Sequence, residues 1–294
     1  MHSVTTDQYE EPVESRGNHS DERGSRSQLM LITLHSVATF FLSYLLVYLG
    51  NQLISIYVAR DFGIGSTLHY NEVVFHVSTS YHWSKNAILS VSAAGPVISL
   101  LIALLIMNYG MKRAVFPPFL LFLLFWTGFH CYNAFFGDLI AGSITGRGLG
   151  YTLDLFLWPY IGLYITLTIF ATLSMVSIGY RHSRLFLRIS PSGSWIGRKN
   201  RRIYLLFSLI LPWIVGTLVI SLIKFPMTPT QHNQITLHDN IQGATMIFFL
   251  IPAVINNKPE YLKYPGARQT NQRIFSYTWA CLAILAMILF RSLL

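Results

Sequence analysis

Long apolar stretches recur along the chain, and they limit the folds that it can adopt. A helix needs about 20 largely apolar residues to cross the hydrocarbon core of a bilayer. Seven stretches approach or exceed that length, at residues 30–50, 87–109, 115–137, 153–179, 203–224, 241–256 and 274–293. Charged residues make up only 11% of the chain, against about 25% in soluble domains. The sequence therefore predicts an all-α polytopic membrane protein with about seven transmembrane helices.

The sixth stretch is the shortest of the seven and contains Pro252. Proline lacks a backbone donor and bends a helix when it lies in the interior. This span is therefore predicted to be tilted, broken or partly re-entrant.

The first 28 residues differ from the rest of the chain in composition. Residues 1–28 are polar, rich in Ser, Glu and Asp, and show no apolar periodicity. They are predicted to form a disordered tail. No basic segment precedes a short apolar core with a small-residue cleavage site, so no cleaved signal peptide is expected.

Lysine and arginine are distributed unevenly between the predicted loops. With seven spans, the tail and the loops 110–114, 180–202 and 257–273 share one side of the membrane and carry 16 of the 21 basic residues. The positive-inside rule places that side in the cytoplasm. We therefore expect a multi-pass protein of the plasma or inner membrane with a cytoplasmic N-terminus. The basic loops are expected to contact anionic lipid headgroups, and no nucleic-acid partner is expected.

A polar pair interrupts an apolar helix within residues 46–64. The helix is apolar up to Asn51-Gln52, regains an apolar face, and stops at Gly63. This outline resembles the first core helix of the site-2 proteases, a family of intramembrane zinc metalloproteases. The family has His-Glu-x-x-His at this place, followed by an Ala-Arg pair and a Gly. Ala59-Arg60 and Gly63 stand at the offsets that the resemblance implies.

The residues that would carry the chemistry of that family are replaced here. Two His at i and i+4 hold one Zn²⁺, and the Glu between them acts as general base. The corresponding positions are Asn51, Gln52 and Ser55. An amide and a hydroxyl are poor zinc donors, and Gln52 cannot take a proton from water. We therefore expect that the motif helix is retained, that the hydrolytic site is lost and that no zinc ion is bound.

The second and third spans continue the resemblance. Ala94-Gly95-Pro96 resembles the Ala-Gly-Pro-x-x-Asn helix of the family, with Ser99 in place of the Asn. The same small residues would also suit an ordinary packing face of a membrane helix. In the third span Asn133 matches an Asn of the family, but Phe136 stands where the family has Pro.

The third zinc ligand of the family is the Asp of a Leu-Asp-Gly motif. Family spacing places Ala141-Gly142 on Asp-Gly, whereas a shorter alignment retains Asp138 instead. Both alignments stay open. In either case one carboxylate cannot hold a catalytic zinc ion, because such sites use three protein ligands.

The segment between the first two spans is rich in β-forming residues and follows Gly63 and Gly65. It is predicted to form a short strand or hairpin at the membrane surface, as in the site-2 proteases. We assign a site-2-protease-like three-helix core to residues 29–150, with a β-segment at 64–82, and four further transmembrane helices to 151–294. The family usually runs this first core helix toward the cytoplasm, opposite to the orientation that the loop charges favour.

Other polar groups could in principle rebuild a metal site. Two loop clusters qualify by residue type, although neither has a recognised ligand spacing: His69, Glu72, His76 and His82, and His232, His238 and Asp239. Ionisable groups inside or at the ends of the spans are functional candidates. Four residues are of this kind, and hydrogen bonding across the helix bundle is the favoured interpretation for each: His35, His130, Asp138 and Asp154.

The glycine-rich run 142–150 is predicted to be a flexible loop. Cys131 and Cys281 are predicted to be buried free thiols.

These patterns lead to three hypotheses of function. The first is a non-catalytic site-2-protease-like membrane protein, which binds other membrane proteins or serves as an accessory subunit. The second is a small-solute transporter or channel. The third, least favoured, is an active intramembrane metalloprotease with atypical ligands.

Overall fold

A computed structural model of the chain describes residues 18–76, 83–112, 116, 118–157, 160–187, 189, 200–224 and 233–256, and the single positions 282, 285, 286, 288 and 289. The described part is almost entirely helical. In chain order its elements are α1 (Asn18–Asp61), β1 (Gly65–Leu68), β2 (Val73–His76), α2 (Lys85–Asn108), α3 (Pro118–Tyr132), α4 (Asp138–Thr145), α5 (Gly148–Leu157), α6 (Ile161–Leu187), α7 (Arg201–Leu205), α8 (Leu211–Lys224), α9 (Asn233–Thr245) and α10 (Ile247–Ile255). One π turn, Asn133–Gly137, joins α3 to α4, and another, Leu206–Ile210, joins α7 to α8.

Five helical segments of the described chain are long and apolar enough to cross a membrane. They are Ser27–Asp61, Lys85–Asn108, Phe119–Thr145, Ile161–Leu187 and Arg201–Lys224. The prediction of a helical membrane protein is therefore confirmed. The number seven stays a prediction, because most of residues 274–293 lie outside the described residues.

The sixth predicted span corresponds to two helices that meet at Met246. A single turn residue separates α9, which is polar, from α10, which is apolar and contains Pro252. Together the two helices run from Asn233 to Ile255, so the span begins earlier than the sequence indicated. The break divides the segment into a polar half and an apolar half.

The first helix is longer than expected at its N-terminal end. Residues 18–28, which the sequence assigned to a disordered tail, continue α1 backwards, and residues 1–17 lie outside the described residues. At its other end the helix closes at Gly63, which has a φ of 71°. The amide of Ile64 donates to the carbonyl of Ala59 there at 3.0 Å, and this bond caps the last turn.

The predicted β-segment is an antiparallel hairpin. Its register pairs Gly65 with His76 and Leu68 with Val73. Phe75 and Trp83 pack with the buried residues Ile64 and Ala87 in a small apolar cluster that joins the hairpin to the adjoining ends of α1 and α2. Residues 77–82, the last part of the expected segment, lie outside the described residues.

The largest side chains of the core are aromatic, and many of them lie between α1 and α3. Trp126 is fully buried and packs edge-on against Phe40, with 4.8 Å between the ring centroids. The indole of Trp126 donates to the Ser36 hydroxyl at 2.9 Å, and that hydroxyl donates to the carbonyl of Ser208 at 2.6 Å. These bonds connect α1, α3 and the second π turn, and they satisfy polar groups that lipid could not.

The glycine-rich run 142–150 does not form the flexible loop that the sequence predicted. Helix α4 continues to Thr145, Gly146 caps it with a φ of 66°, and α5 begins at Gly148. A side chain at Gly142 would collide with the backbone of Gly150. The glycines therefore allow a tight turn between two closely packed helices.

Helix α6 packs against α10 at Gly179, where the backbone of Phe249 leaves no room for a Cβ atom. We expect Gly179→Ala to lower the free energy of unfolding by about 1–3 kcal/mol, as overpacking does. Thermal unfolding in detergent measures it. Gly162→Ala on the same helix is the matched control, because its Cβ would meet nothing within 4 Å. That substitution should be neutral or slightly stabilising, and equal effects of the two would contradict the tight contact.

Candidate functional site

The positions that resemble the His-Glu-x-x-His motif face α2. The Ser99 hydroxyl donates to Asn51 Oδ1 at 2.5 Å, and the Ser55 hydroxyl donates to the carbonyl of Val91 at 3.1 Å. Gly95 and Pro96 are both buried, and a Cβ at Gly95 would lie 3.0 Å from the carbonyl oxygen of Asn51. The small-residue segment of α2 therefore lies directly against the motif helix.

This geometry does not suit a zinc ion. Both Asn51 and Ser55 use their oxygens in hydrogen bonds with α2, and Gln52 is half-buried. Within the described ranges, no three His, Cys, Asp or Glu side chains come together as metal ligands. The absence of zinc stays a prediction.

Asp138, one of the two candidates for the third ligand position, is buried at the junction of α4, α5 and α9. Its Oδ2 accepts from the backbone amide of Leu149 at 2.8 Å, and its Oδ1 lies 2.8 Å from His238 Nε2. A carboxylate beside the first turn of α5 is stabilised by the unpaired amides there. Ala141, the other candidate, is fully buried and offers no polar atom.

His238 extends this group of polar contacts. Its Nδ1 lies 2.9 Å from the Thr145 hydroxyl, which also lies 2.8 Å from the carbonyl of Ala141. The single hydroxyl proton of Thr145 can serve only one of these two acceptors. If Ala141 receives it, Nδ1 of His238 donates to the Thr145 oxygen. In either state the Asp138–His238–Thr145 array joins α4 to α9.

The π turn brings Asn133 to the same helix. The Asn133 side-chain amide donates to the carbonyl of Gln242 at 2.7 Å, and the Thr245 hydroxyl donates to Asn133 Oδ1 at 2.9 Å. A π turn shifts the register of a helix by one residue and often occurs at functional sites. Here it turns a buried amide toward α9.

A cavity of about 50 Å³ lies between α1, α3, the first π turn, α8 and α9. Most of the surface that it presents is apolar, but its lining also includes the polar or charged residues Tyr44, His130, Asn133, Ser221, Lys224 and Asp239. This volume is several times the 10–15 Å³ or so that a single water molecule needs.

The cavity contains a buried ion pair. Lys224 Nζ lies 2.5 Å from Asp239 Oδ2, and the two side chains are 6% and 23% exposed. The same ammonium group lies 4.0 Å from the ring centroid of Tyr48 and 5.8 Å from that of Tyr44. Aromatic faces attract a cation, so a carboxylate and two rings surround the ammonium group.

His130 also contributes to the lining, at 6% exposure. One ring nitrogen is hydrogen-bonded to the backbone of Phe40, whereas Nε2 has no hydrogen-bond partner in the described part of the chain. With the proton on Nδ1, Nε2 is a buried acceptor that has no partner among the described residues, and it belongs to a residue that lines the cavity. His35 is separate from this group and packs edge-on against Phe119 at 5.2 Å.

Among the described residues, neither of the two clusters that could have rebuilt a metal site forms a group of three ligands. Glu72 pairs with Arg147 at 3.2 Å, and His76 Nε2 contacts the Thr67 hydroxyl at 2.6 Å. His238 and Asp239 are neighbours in sequence but take different partners. His82 and His232 lie outside the described residues.

Two other sequence predictions concern isolated groups. Cys131 is a buried free thiol, as expected, whereas Cys281 lies outside the described residues. Asp154 is half-buried on α5 and forms no hydrogen bond across the bundle to the described residues, unlike the bond that we expected.

Sequence analysis missed the Lys224–Asp239 pair. Lys224 stands at the end of the predicted span 203–224, and Asp239 was considered only as part of a loop cluster. A signal was present, since a polar stretch, 233–245, directly precedes the apolar residues 247–255. Such a step within one helix indicates that its polar half faces protein rather than lipid.

Comparison with protein-family models gave no match, and searches of curated proteins and of solved structures found no significant match either. The chemistry of the described residues is therefore the basis for any functional proposal.

We expect Asp138→Ala to lower the free energy of unfolding by about 1–3 kcal/mol, because the Leu149 amide and His238 lose a buried acceptor. Chemical or thermal unfolding in detergent measures this change. Asp154→Ala on the neighbouring helix is the control, since Asp154 accepts no hydrogen bond from the described chain. A destabilisation no larger than that of the control would contradict the role assigned to Asp138.

Proposed function

We propose that this chain is a non-catalytic, site-2-protease-like membrane protein that acts by binding other membrane proteins. The observation that carries the proposal is the use of Asn51 and Ser55 in hydrogen bonds with α2. In a protease of this type the same positions would hold zinc. Here they support helix packing.

The order of the elements supports the resemblance. A motif helix, a hairpin, a small-residue helix and a helix with Asn133 near its end follow one another as in the site-2 proteases. The close contact between Gly95 and Asn51 joins two of the resembling segments directly.

The hydrogen bonds of the remaining polar residues also favour a role without hydrolysis. Metalloproteases need a metal-bound water and a general base beside it. Gln52 cannot act as a base, and the carboxylate of Asp138 is engaged by the Leu149 amide and by His238. No hydrolytic step is supported by these contacts.

The partners that we propose are lipids and the membrane segments of other proteins. Helix α2 is mostly uncovered, and Val97, Leu101 and Leu105 are exposed on it. An apolar face next to the altered motif could receive a partner helix, since packing between small and apolar side chains drives such association in lipid.

The metal content of the purified protein tests the first part of the proposal. We expect well below one zinc ion per chain in detergent-solubilised protein, and the same value for Asp138→Ala. Elemental analysis against protein concentration measures it. About one zinc per chain, lost in Asp138→Ala, would overturn the non-catalytic assignment.

Photo-crosslinking tests the second part. A photoreactive amino acid at Leu101 or Leu105 should give protein adducts in native membranes if α2 binds partner helices. The matched controls are Leu218 and Leu222 on α8, which are equally exposed and should give lipid adducts only. Identical adduct patterns from the two helices would contradict a binding face on α2.

A small-solute transporter is the second candidate, favoured by one observation. The polar half of the broken α9–α10 segment lines the cavity that contains Lys224 and Asp239. Discontinuous helices beside a polar site near mid-depth are typical of secondary transporters. Solute flux into proteoliposomes tests this candidate.

A further inference from the structure

The cavity lies inside the helical bundle and contains both a cation and an anion. Tyr44 stands midway along the apolar segment Ser27–Asp61, and His130 and Asn133 lie close to the middle of Phe119–Thr145, whereas Lys224 is the last residue of Arg201–Lys224. Ionisable side chains inside a membrane bundle are costly and commonly mark solute or ion pathways. The site is therefore built from groups that simple packing does not require.

The charges of the lining restrict the net charge of a ligand. Lys224 and Asp239 cancel each other, and no other Lys, Arg, Asp or Glu is among the described residues that line the cavity. Burying an uncompensated charge is strongly unfavourable. A ligand with no net charge is therefore accommodated at the lowest cost.

The arrangement of the polar groups restricts the ligand further. The ammonium of Lys224 can donate to a carboxylate, whereas Asp239 and the unpartnered Nε2 of His130 can accept from an ammonium. The ring of Tyr44, which lines the cavity, already faces the Lys224 ammonium group and suits a second one. Opposite charges on one small molecule would match these groups.

The size of the cavity sets the third limit. A volume of about 50 Å³ holds a few waters or a molecule of a few heavy atoms. The greater exposure of Asp239 than of Lys224 indicates that a ligand would reach the carboxylate first.

We propose that this cavity binds a small zwitterion of the amino-acid type, with its carboxylate on Lys224 and its ammonium on Asp239. The ligand separates Lys224 from Asp239, and each residue then pairs with the opposite charge of the ligand. The proposal rests on the second candidate function, for which it names the substrate class, and it does not depend on whether zinc is bound.

Binding of four small solutes to the full-length protein in detergent tests the proposal. Glycine is the zwitterion, acetate and methylammonium are its two charged halves, and acetamide is an uncharged molecule of similar size. The midpoint of thermal unfolding is measured with each solute at up to about 10 mM, where a stabilisation reports binding to the native state. We expect glycine to bind at least about tenfold more tightly than either half.

Two single variants reverse the preference if the charges act as proposed. Lys224→Gln leaves Asp239 without its partner and should favour methylammonium. Asp239→Asn leaves Lys224 and should favour acetate. Lys85→Gln, exposed at the start of α2, and Asp154→Asn make the same chemical changes elsewhere and should keep the preference for glycine.

Each outcome decides the question. If the wild-type protein binds acetamide or one charged half as tightly as glycine, the zwitterion assignment is wrong, whatever the folding of the variants. If both single variants unfold, Lys224→Gln/Asp239→Asn removes both charges together and should lose the preference for glycine over acetamide. A preference that survives in that double variant would also overturn the proposal. If glycine binds but no flux into proteoliposomes is detected, the zwitterion site is supported and only the transport function is contradicted.

Discussion

A bilayer offers no hydrogen bonds, and this constraint accounts for most of the polar contacts inside the bundle. Each buried polar group must find a partner on another helix or on its own backbone. Ser99 meets Asn51, Ser36 meets Trp126, and Asn133 meets the backbone of α9. These contacts fix which helices are neighbours, because apolar side chains gain little by exchanging lipid for protein.

The polar contacts fall into two regions with different characters. Between α1 and α2 they are neutral and close to a small-residue contact, so they hold the two helices together at Asn51 and Ser55. Around α9 they include carboxylates, a histidine and a lysine. The ionisable side chains are therefore concentrated in the second region.

The sequence predicted those features that depend on one residue pattern at a time. Apolar length predicted membrane helices, and β-forming residues after Gly63 predicted the hairpin.

The sequence could not predict the Lys224–Asp239 pair, because pairing depends on how α8 and α9 meet in space. The run 142–150 was misjudged for a related reason: glycines that normally indicate a loop here permit α4 and α5 to pack closely. Whether Asp138 or Ala141 matches the family ligand is also a question of spacing, and the π turn at Asn133–Gly137 shifts that spacing by one residue.

The break at Met246 divides the segment Asn233–Ile255 into halves that are attached by different forces. α10 packs through Phe249 and Leu250 into the apolar core, whereas α9 is attached largely through ionisable and amide side chains. Apolar packing tolerates small changes in the orientation of side chains, whereas hydrogen bonds and ion pairs need a defined geometry. The two halves are therefore held differently: apolar packing holds α10 in the bundle, and directional polar contacts hold α9 beside the cavity. Such a division makes α9 the part of the fold that can open as a local unit without loss of the core.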